Sequence, residues 1–232
     1  MKLHRENLVM ATSQVFPLFP TAVGVYNFGE DYHEVNQSLV KDSFKEYKRD
    51  PEGQIRSNMG GWHSNKGLEK RYDSFKTLRL QIEDCVNDYC RQTGHTDGLE
   101  IERLWANINK KGDMNMGHHH GMSACTGVYY PINEIVDKKH IYKYCDEVSL
   151  LPGSWDGKNG GCITFQDPSY GRKIQLAHQG LASPYSLEFY HLYPIPGVLI
   201  VMPSYLIHHV SPFTEENKTR ISISFVCKYG TD

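Results

Sequence analysis

Hydrophobic positions in the first hundred residues recur with the period of an α-helix. In residues 34–47, and again in residues 73–92, apolar side chains stand three or four positions apart, so that each segment has one apolar face. In the second segment this face consists of Phe75, Leu78, Ile82, Cys85, Val86 and Tyr89. Gly94 follows as a helix stop. We therefore predict two helices, the second of which packs against a sheet.

From residue 99 onward the pattern changes to that of β-strands. Short runs rich in β-branched and aromatic residues are separated by glycine, proline and asparagine. These runs occupy residues 104–109, 125–130, 161–166, 197–202, 206–210 and 220–227, and an earlier run lies at residues 20–26. Strands at this spacing are typical of a sandwich or barrel. Residues 133–158 hold few regular signals, and we interpret them as an insertion or lid.

The length of the chain favours one domain. At 232 residues it can bury a full core, and β-sandwiches and barrels of this size commonly remain undivided. We expect a single domain over residues 1–232, with a strand and supporting helices in residues 1–98 and the β-rich core in residues 99–228.

Charge and composition narrow the range of partners. The formal net charge of -2 gives no basic surface for nucleic acid or an anionic membrane. The sequence contains no signal-peptide pattern and no apolar span of membrane-crossing length, so we expect a cytoplasmic protein with no membrane partner. The six cysteines include no CxxC pair, and we expect them to be reduced thiols.

A histidine triplet is the first candidate for chemistry. In a strand, alternate residues share a face, so His118 and His120 would project together while His119 would point away. Two imidazoles on one face can bind the same ion, and imidazole suits first-row metals such as iron. The triplet therefore predicts part of a metal site.

A second histidine pair lies about ninety residues further on. The same alternation separates His208 from His209, and it places His208 on one face with Leu206 and Val210. An apolar face points inward, so we predict that His208 joins His118 in the metal site. A site with two or three protein ligands leaves positions open for oxygen and a chelating substrate.

The last predicted strand carries a candidate anion clamp. Arg220 and Ser222 come off one face of this strand, and the opposite face is apolar. A guanidinium can bind a carboxylate bidentately, and the Ser222 hydroxyl can add a hydrogen bond. Trp105, Asn107 and Asn109 alternate in the same way and are candidates to line the pocket. These residues predict a carboxylate pocket near the metal.

Five motifs in sequence resemble one known family. They are WANINKKGDMNMGHHH at 105–120, TGVYY at 126–130, GGCITFQDP at 160–168, PGVLIVMPSYLIH at 196–208 and RISISF at 220–225. In this order they resemble the 2-oxoglutarate and iron(II) dependent oxygenases, in particular a bacterial and phage branch related to prolyl hydroxylases. The strand at residues 19–28 is also similar to the opening of that branch. The resemblance covers residues 15–228.

The resemblance implies a mainly β fold with flanking helices. This fold is the double-stranded β-helix, a cupin-like jelly roll, which we expect to occupy residues 99–228. In the family the first and distal ligands of iron(II) match His118 and His208, and the second ligand position matches His120. This ligand set agrees with the alternation argued above.

The resemblance also implies the cosubstrate contacts. Arg220 would grip the far carboxylate of 2-oxoglutarate, with Ser222 beside it. The paired tyrosines often supply a hydroxyl to the same carboxylate, for which Tyr130 is the better candidate and Tyr129 the alternative.

The implied reaction is a dioxygenase reaction. Oxidative decarboxylation of 2-oxoglutarate to succinate by O2 would be coupled to hydroxylation of a C–H bond, with ascorbate as a supporting reductant. The prime substrate would be a prolyl or other protein side chain, or a small molecule. Its choice would depend on loops such as residues 133–158 and 172–190.

Three alternatives remain open at the level of sequence. The wider superfamily has Asp or Glu where this chain has His120, so Asp113 is a candidate to supply a carboxylate instead. A second frame takes His119 as first ligand and places Gly121 in the second position, as in related halogenases. Finally, a non-catalytic, cupin-like jelly roll would hold a metal such as zinc without turnover. A carboxylate clamp at Arg220 separates this last alternative from an oxygenase.

Overall fold

The computed structural model describes residues 20–29, 32–95, 98–133, 151–152, 160–169 and 188–229. Most of the predicted insertion at 133–158 lies outside these residues, as does most of the predicted specificity loop at 172–190. The fold and site are built from the described parts of the chain.

The described part of the chain contains three helices, which all end before residue 95. They are α1 (His33–Arg49), α2 (Leu68–Arg71) and α3 (Asp73–Thr93). The predicted apolar stripe of α3 is buried, with Phe75 and Ile82 at 0% exposure. This helix ends at Gly94, whose left-handed φ of 74° terminates it as predicted. None of the helices in the described part of the chain has the length and hydrophobicity needed to cross a membrane.

The strands form two antiparallel sheets. In chain order the described strands are β1 (Gly24–Asn27), β2 (Asn58–Met59), β3 (Trp62–His63), β4 (Leu99–Asn109), β5 (Met114–His118), β6 (Cys125–Asn133), β7 (Leu151–Pro152), β8 (Ile163–Gln166), β9 (Phe189–Leu192), β10 (Val198–Pro203), β11 (His208–Val210) and β12 (Arg220–Tyr229). The first sheet has the order β1-β10-β6-β12-β4-β3, and the second β2-β5-β11-β8-β9-β7. Sequence neighbours such as β4 and β5 therefore lie in opposite sheets, as in the predicted jelly roll.

The first sheet separates two apolar cores. On its outer face it packs against the helices, where Phe75 and Ile82 meet Leu104 and Phe225. Its inner face meets the second sheet in a smaller core that includes Val128 and Phe165. The helices thus support the first sheet from behind, and its inner face is left to line a cavity.

Two strands that carry the histidines are shorter than the sequence indicates. β5 ends at His118, so His120 lies beyond it, held by a hydrogen bond from its backbone N–H to the Ser204 carbonyl at 2.9 Å. The run predicted at 206–210 becomes a strand only at His208, because a turn closed by the Leu206 N–H on the Pro203 carbonyl precedes it. The alternation of faces nevertheless extends through both segments.

Candidate active site

Three imidazoles meet where β5 and β11 pair. His208 lies directly opposite His118 in this ladder, with ring centroids 4.4 Å apart. The ring of His120 lies 5.1 Å from His118 and 5.2 Å from His208. One ring nitrogen from each residue lies within 4.8 Å of the others. This spacing suits three ligands of a single metal ion, with open positions on the cavity side.

Backbone carbonyls fix the orientation of two of these rings. His118 Nδ1 lies 2.7 Å from the Met116 carbonyl oxygen, and His208 Nδ1 lies 2.8 Å from the Leu206 carbonyl oxygen. Because a carbonyl only accepts, each Nδ1 must carry the proton, which leaves the Nε2 lone pair for a metal. The two rings are therefore oriented as ligands by their own local backbone.

Burial keeps the three imidazoles neutral. It lowers the pKa of His118, and it lowers the pKa of His208 to about 4 against the opposing hydrogen bond from the Leu206 carbonyl. Burial, followed by the nearby His208 and His118, lowers the pKa of His120 to about 3. A metal therefore has no proton to displace at neutral pH, because neutral imidazole is the ligating form. The residues fit a divalent first-row metal.

The structure does not bring the alternative ligands together. Asp113 lies in the turn between β4 and β5, where Oδ2 accepts the Lys110 backbone N–H at 2.7 Å. The ring of His119 is exposed, and its Nδ1 accepts the backbone N–H of Gly121 at 3.0 Å. His209 points away from the cluster toward Phe189. Among the described residues, the cluster has no carboxylate.

Arg220 is the largest fully buried side chain of the described chain. Its Nη1 donates to Asn109 Oδ1 at 3.1 Å and to Ser222 Oγ at 3.2 Å. Its Cζ lies 5.1 Å from the centroid of the Tyr130 ring. Within the described residues, Arg220 Nε and the Tyr130 hydroxyl make no hydrogen bond. Among the described residues neither group meets an anion, although the two lie close enough for each to shift the pKa of the other.

These two groups have the electrostatics of an anion site. Burial lowers the pKa of Arg220, but a guanidinium titrates so high that it keeps its charge. Burial also raises the pKa of Tyr130 to about 12, against the opposing charge of Arg220, so the phenol remains a donor. Burying a cation or a hydroxyl without a hydrogen-bond partner destabilises the protein. A bound carboxylate would provide a partner for both groups.

A cavity of about 580 Å³ joins the imidazoles to Arg220. The inner face of the first sheet lines it with Trp105 and Asn107 from β4 and with Ser222 and Ser224 from β12, as the alternation predicts. Asn107 Nδ2 donates to the hydroxyls of Ser222 and Ser224 at 3.4 and 3.3 Å. The volume is that of a site for small ligands or a peptide side chain.

Tyr129 and Tyr130 lie on opposite faces of the first sheet, because they are neighbours in one strand. Tyr129 faces the helices and donates its hydroxyl to Asn36 in α1, whereas Tyr130 faces the cavity. The geometry therefore favours Tyr130 over Tyr129 for contact with a cosubstrate.

One wall of the cavity could not be predicted from the sequence. Residues 54–66 contribute Arg56, Ser57, His63 and Lys66 to the lining. This segment has no helical or strand periodicity, and its residues become neighbours of the site only when β2 and β3 pair with β5 and β4. Its polar composition was the only signal.

Comparison of the sequence with protein families identifies an oxygenase family. Residues 103–226, more than half of the chain, match the family described as "Putative 2OG-Fe(II) oxygenase". The chain belongs to this family of oxygenases. Iron(II), 2-oxoglutarate and O2 are the metal and cosubstrates of such enzymes, as the motifs predicted. No protein of curated function matches the sequence.

Solved structures share the fold. A Pseudomonas putida prolyl-4-hydroxylase is 10% identical with a TM-score of 0.59, over 91% of this chain and 94% of that one. A Trichoplax adhaerens prolyl hydroxylase, in complex with a hypoxia inducible factor peptide, is 13% identical with a TM-score of 0.55, over 89% and 83%. HygX from Streptomyces hygroscopicus, with nickel and 2-oxoglutarate bound, is 12% identical with a TM-score of 0.52, over 90% and 82%. The predicted jelly roll is thereby confirmed.

Proposed function

We propose that this oxygenase is a hydroxylase whose iron(II) is held by His118, His120 and His208. Arg220, Ser222 and Tyr130 hold the far carboxylate of 2-oxoglutarate. The single observation that carries these assignments is the buried Arg220 guanidinium, which lies in the same cavity as three neutral imidazoles and has no carboxylate partner in the described chain.

The side chains around Arg220 orient the cosubstrate. Asn109 and Ser222 both accept from Nη1, so the rest of the guanidinium edge, including Nε, remains for an incoming carboxylate. The Tyr130 hydroxyl can donate to the same carboxylate, since it donates to no acceptor in the described chain. With its far end held in this way, the cosubstrate would have its 2-oxo acid end in the part of the cavity that the imidazoles line.

The ligand set determines the charge of the centre. When bound, iron(II) supplies the activation of O2 that couples decarboxylation of 2-oxoglutarate to hydroxylation of a C–H bond. Three imidazoles are neutral, so they leave the site one unit more positive than two histidines and a carboxylate would. Val128, Ile163 and Met202 give the cavity an apolar wall that restricts water.

The prime substrate is a protein side chain or a small molecule. The Trichoplax adhaerens relative is complexed with a peptide. Arg56 and Lys66, in the segment at residues 54–66, are exposed and also line the cavity, and its volume of about 580 Å³ leaves room for either kind of molecule.

Anaerobic titration tests the proposal. Iron(II) and 2-oxoglutarate added together should give a weak visible charge-transfer band, because the 2-oxo acid chelates the metal. The Arg220→Ala variant should bind iron yet need much more 2-oxoglutarate to give the band. A wild-type protein that binds iron but never gives the band would support the cupin-like, non-catalytic alternative.

A further inference from the structure

The mouth of the cavity is built by the segment that joins the two sheets. The backbone N–H of Gln54 donates to the His63 carbonyl at 2.8 Å, which closes the segment on itself. Since β2 pairs with β5 and β3 pairs with β4, residues 54–66 connect one edge of each sheet. Arg56 and Lys66 are exposed residues of this segment, and both line the cavity.

A third cation reaches the mouth from β4. Arg103 lies on the same face of β4 as Trp105, whose ring stacks on His63 at 5.4 Å. Its Nε is 3.7 Å from Glu102 Oε2, and both side chains are more than 40% exposed, so this pair is loose. Arg56 Nε donates to the neutral Gln54 Oε1 at 3.1 Å, and Lys66 has no ion pair within the described chain.

The charged residues of the described lining are all cations. Arg56, Lys66, Arg103 and Arg220 line the cavity, and no aspartate or glutamate of the described residues does. The charges of Arg56 and Arg103 extend to the cavity interior, where they add to burial in lowering the pKa of His63. Clefts lined by one sign of charge concentrate ligands of the other sign.

The position of these cations separates them from the 2-oxoglutarate clamp. Arg103 precedes Asn109 by six residues on β4, which is about 20 Å along an extended strand. Trp105, between them, packs against His120 with ring centroids 6.1 Å apart. The imidazoles therefore lie between Arg220 at one end and Arg103 at the other, and an anion at the mouth would occupy the prime-substrate side.

We propose that the prime substrate is an anion, with a carboxylate or phosphate group bound by Arg56, Lys66 and Arg103. The group is held at the mouth, and the C–H bond to be hydroxylated extends inward past the His63 and Trp105 stack. This inference rests on the proposed function and specifies its substrate class.

Calorimetry on the protein loaded anaerobically with iron(II) and saturating 2-oxoglutarate tests the proposal. The carboxylate probe is acetyl-Asp-Asp-amide, and its neutral counterpart is acetyl-Asn-Asn-amide. The phosphate probe is glycerol 2-phosphate, and its counterpart is glycerol. At low ionic strength we expect one anionic probe to bind about tenfold more tightly than its counterpart, as two or three exposed charge pairs allow, and salt should reduce this difference. The probe that binds identifies the group.

A pair of double variants supplies the control. Arg56→Glu with Arg103→Glu should remove the preference for the anionic probe. Lys48→Glu with Arg91→Glu makes the same change of net charge at exposed positions on α1 and α3 that do not line the cavity, and it should keep the preference. Equal loss in both variants would attribute binding to net charge and overturn the proposal.

Two further outcomes would also overturn it. One is equal affinity of the anionic and neutral probes for the wild type. The other is a loss of 2-oxoglutarate affinity in the Arg56→Glu, Arg103→Glu variant that is as large as its loss of affinity for the anionic probe. The charge-transfer band is recorded on the same samples. If the wild type gives the charge-transfer band but does not prefer the anionic probe, only the inference about the substrate is contradicted. If the band is missing, the proposed function is contradicted.

Discussion

Asn109 and Arg220 are directly opposite each other in the ladder between β4 and β12, and Arg220 Nη1 donates to Asn109 Oδ1 at 3.1 Å. The next inward pair of this ladder is Asn107 and Ser222. Neutral amides and hydroxyls thus hold the guanidinium by one nitrogen without neutralising it. The charge is fixed in place and remains available to an anion.

Replacement of the clamp should affect the cosubstrate and leave the metal in place. We expect Arg220→Ala to weaken 2-oxoglutarate about ten- to a hundredfold, the equivalent of one charge-assisted hydrogen-bonded contact. Iron affinity should change little, because Arg220 does not contact the imidazoles. Calorimetry with each ligand measures both, and circular dichroism checks the fold. An unchanged affinity for 2-oxoglutarate would show that Arg220 does not bind its carboxylate.

The adjacent tyrosines provide a matched pair. Tyr130→Phe should weaken 2-oxoglutarate about three- to tenfold, the effect of one hydrogen bond, with little loss of stability. Tyr129→Phe should cost about 1 kcal/mol of stability through its lost bond to Asn36, with cosubstrate affinity unchanged. Thermal unfolding and calorimetry separate the two effects. The reverse result would exchange the roles of the tyrosines.

His120→Asp tests the second ligand position. The change restores the common ligand set of two histidines and one carboxylate, so turnover should be retained or increased. The iron affinity should differ from that of the wild type, because a neutral ligand becomes an anion. A folded variant whose iron affinity equals that of the wild type would show that His120 does not touch the metal.

A buried carboxylate behind the first sheet should govern acid stability. Glu46 accepts from Arg49, Arg71 and Tyr72, and the Arg49 hydrogen bond is the largest cause that lowers its pKa to about 2. The unfolded chain takes up this proton at higher pH, so the stabilisation is complete above pH 4.5 and is lost as pH falls toward 2.

The Glu46→Gln variant tests this assignment. It should cost about 1 to 3 kcal/mol at neutral pH, and its stability should fall less steeply than that of the wild type below pH 4.5. Glu83→Gln, which breaks the partly exposed pair with Arg79, is the control and should cost about 0.5 kcal/mol or less. Urea unfolding across this pH range measures both. Parallel pH profiles for Glu46→Gln and the wild type would contradict the assignment.

The parts predicted from sequence are those governed by local periodicity. Helix α3 was predicted to within one residue, because its apolar stripe and Gly94 are both local signals. Strand alternation likewise separated His118 from His119 and His208 from His209, since a side chain's face depends only on its own strand. The preference for Tyr130 over Tyr129 came from the family resemblance. Motif order and strand alternation together were enough to predict that three histidines and Arg220 lie close to one another.

Features that depend on pairing between distant segments could not be predicted. β2 and β3 have two residues each, too few to show a period, and they exist because β5 and β4 supply hydrogen bonds. The sequence therefore did not indicate that Arg56 and Lys66 face the site. The absence of Asp113 from the imidazole cluster was not predicted either; its Oδ2 accepts the backbone N–H of Lys110 inside the turn between β4 and β5.

Formation of succinate from 2-oxoglutarate would show that the three histidines and Arg220 support oxygenase turnover. The protein is assayed with iron(II), ascorbate and O2, without a prime substrate, next to His208→Ala and His209→Ala. We expect slow, iron-dependent succinate from the wild type and from His209→Ala, whose ring lies on the other face of β11, and none from His208→Ala. Succinate formed equally by all three proteins, or by none of them despite bound iron and 2-oxoglutarate, would contradict the account.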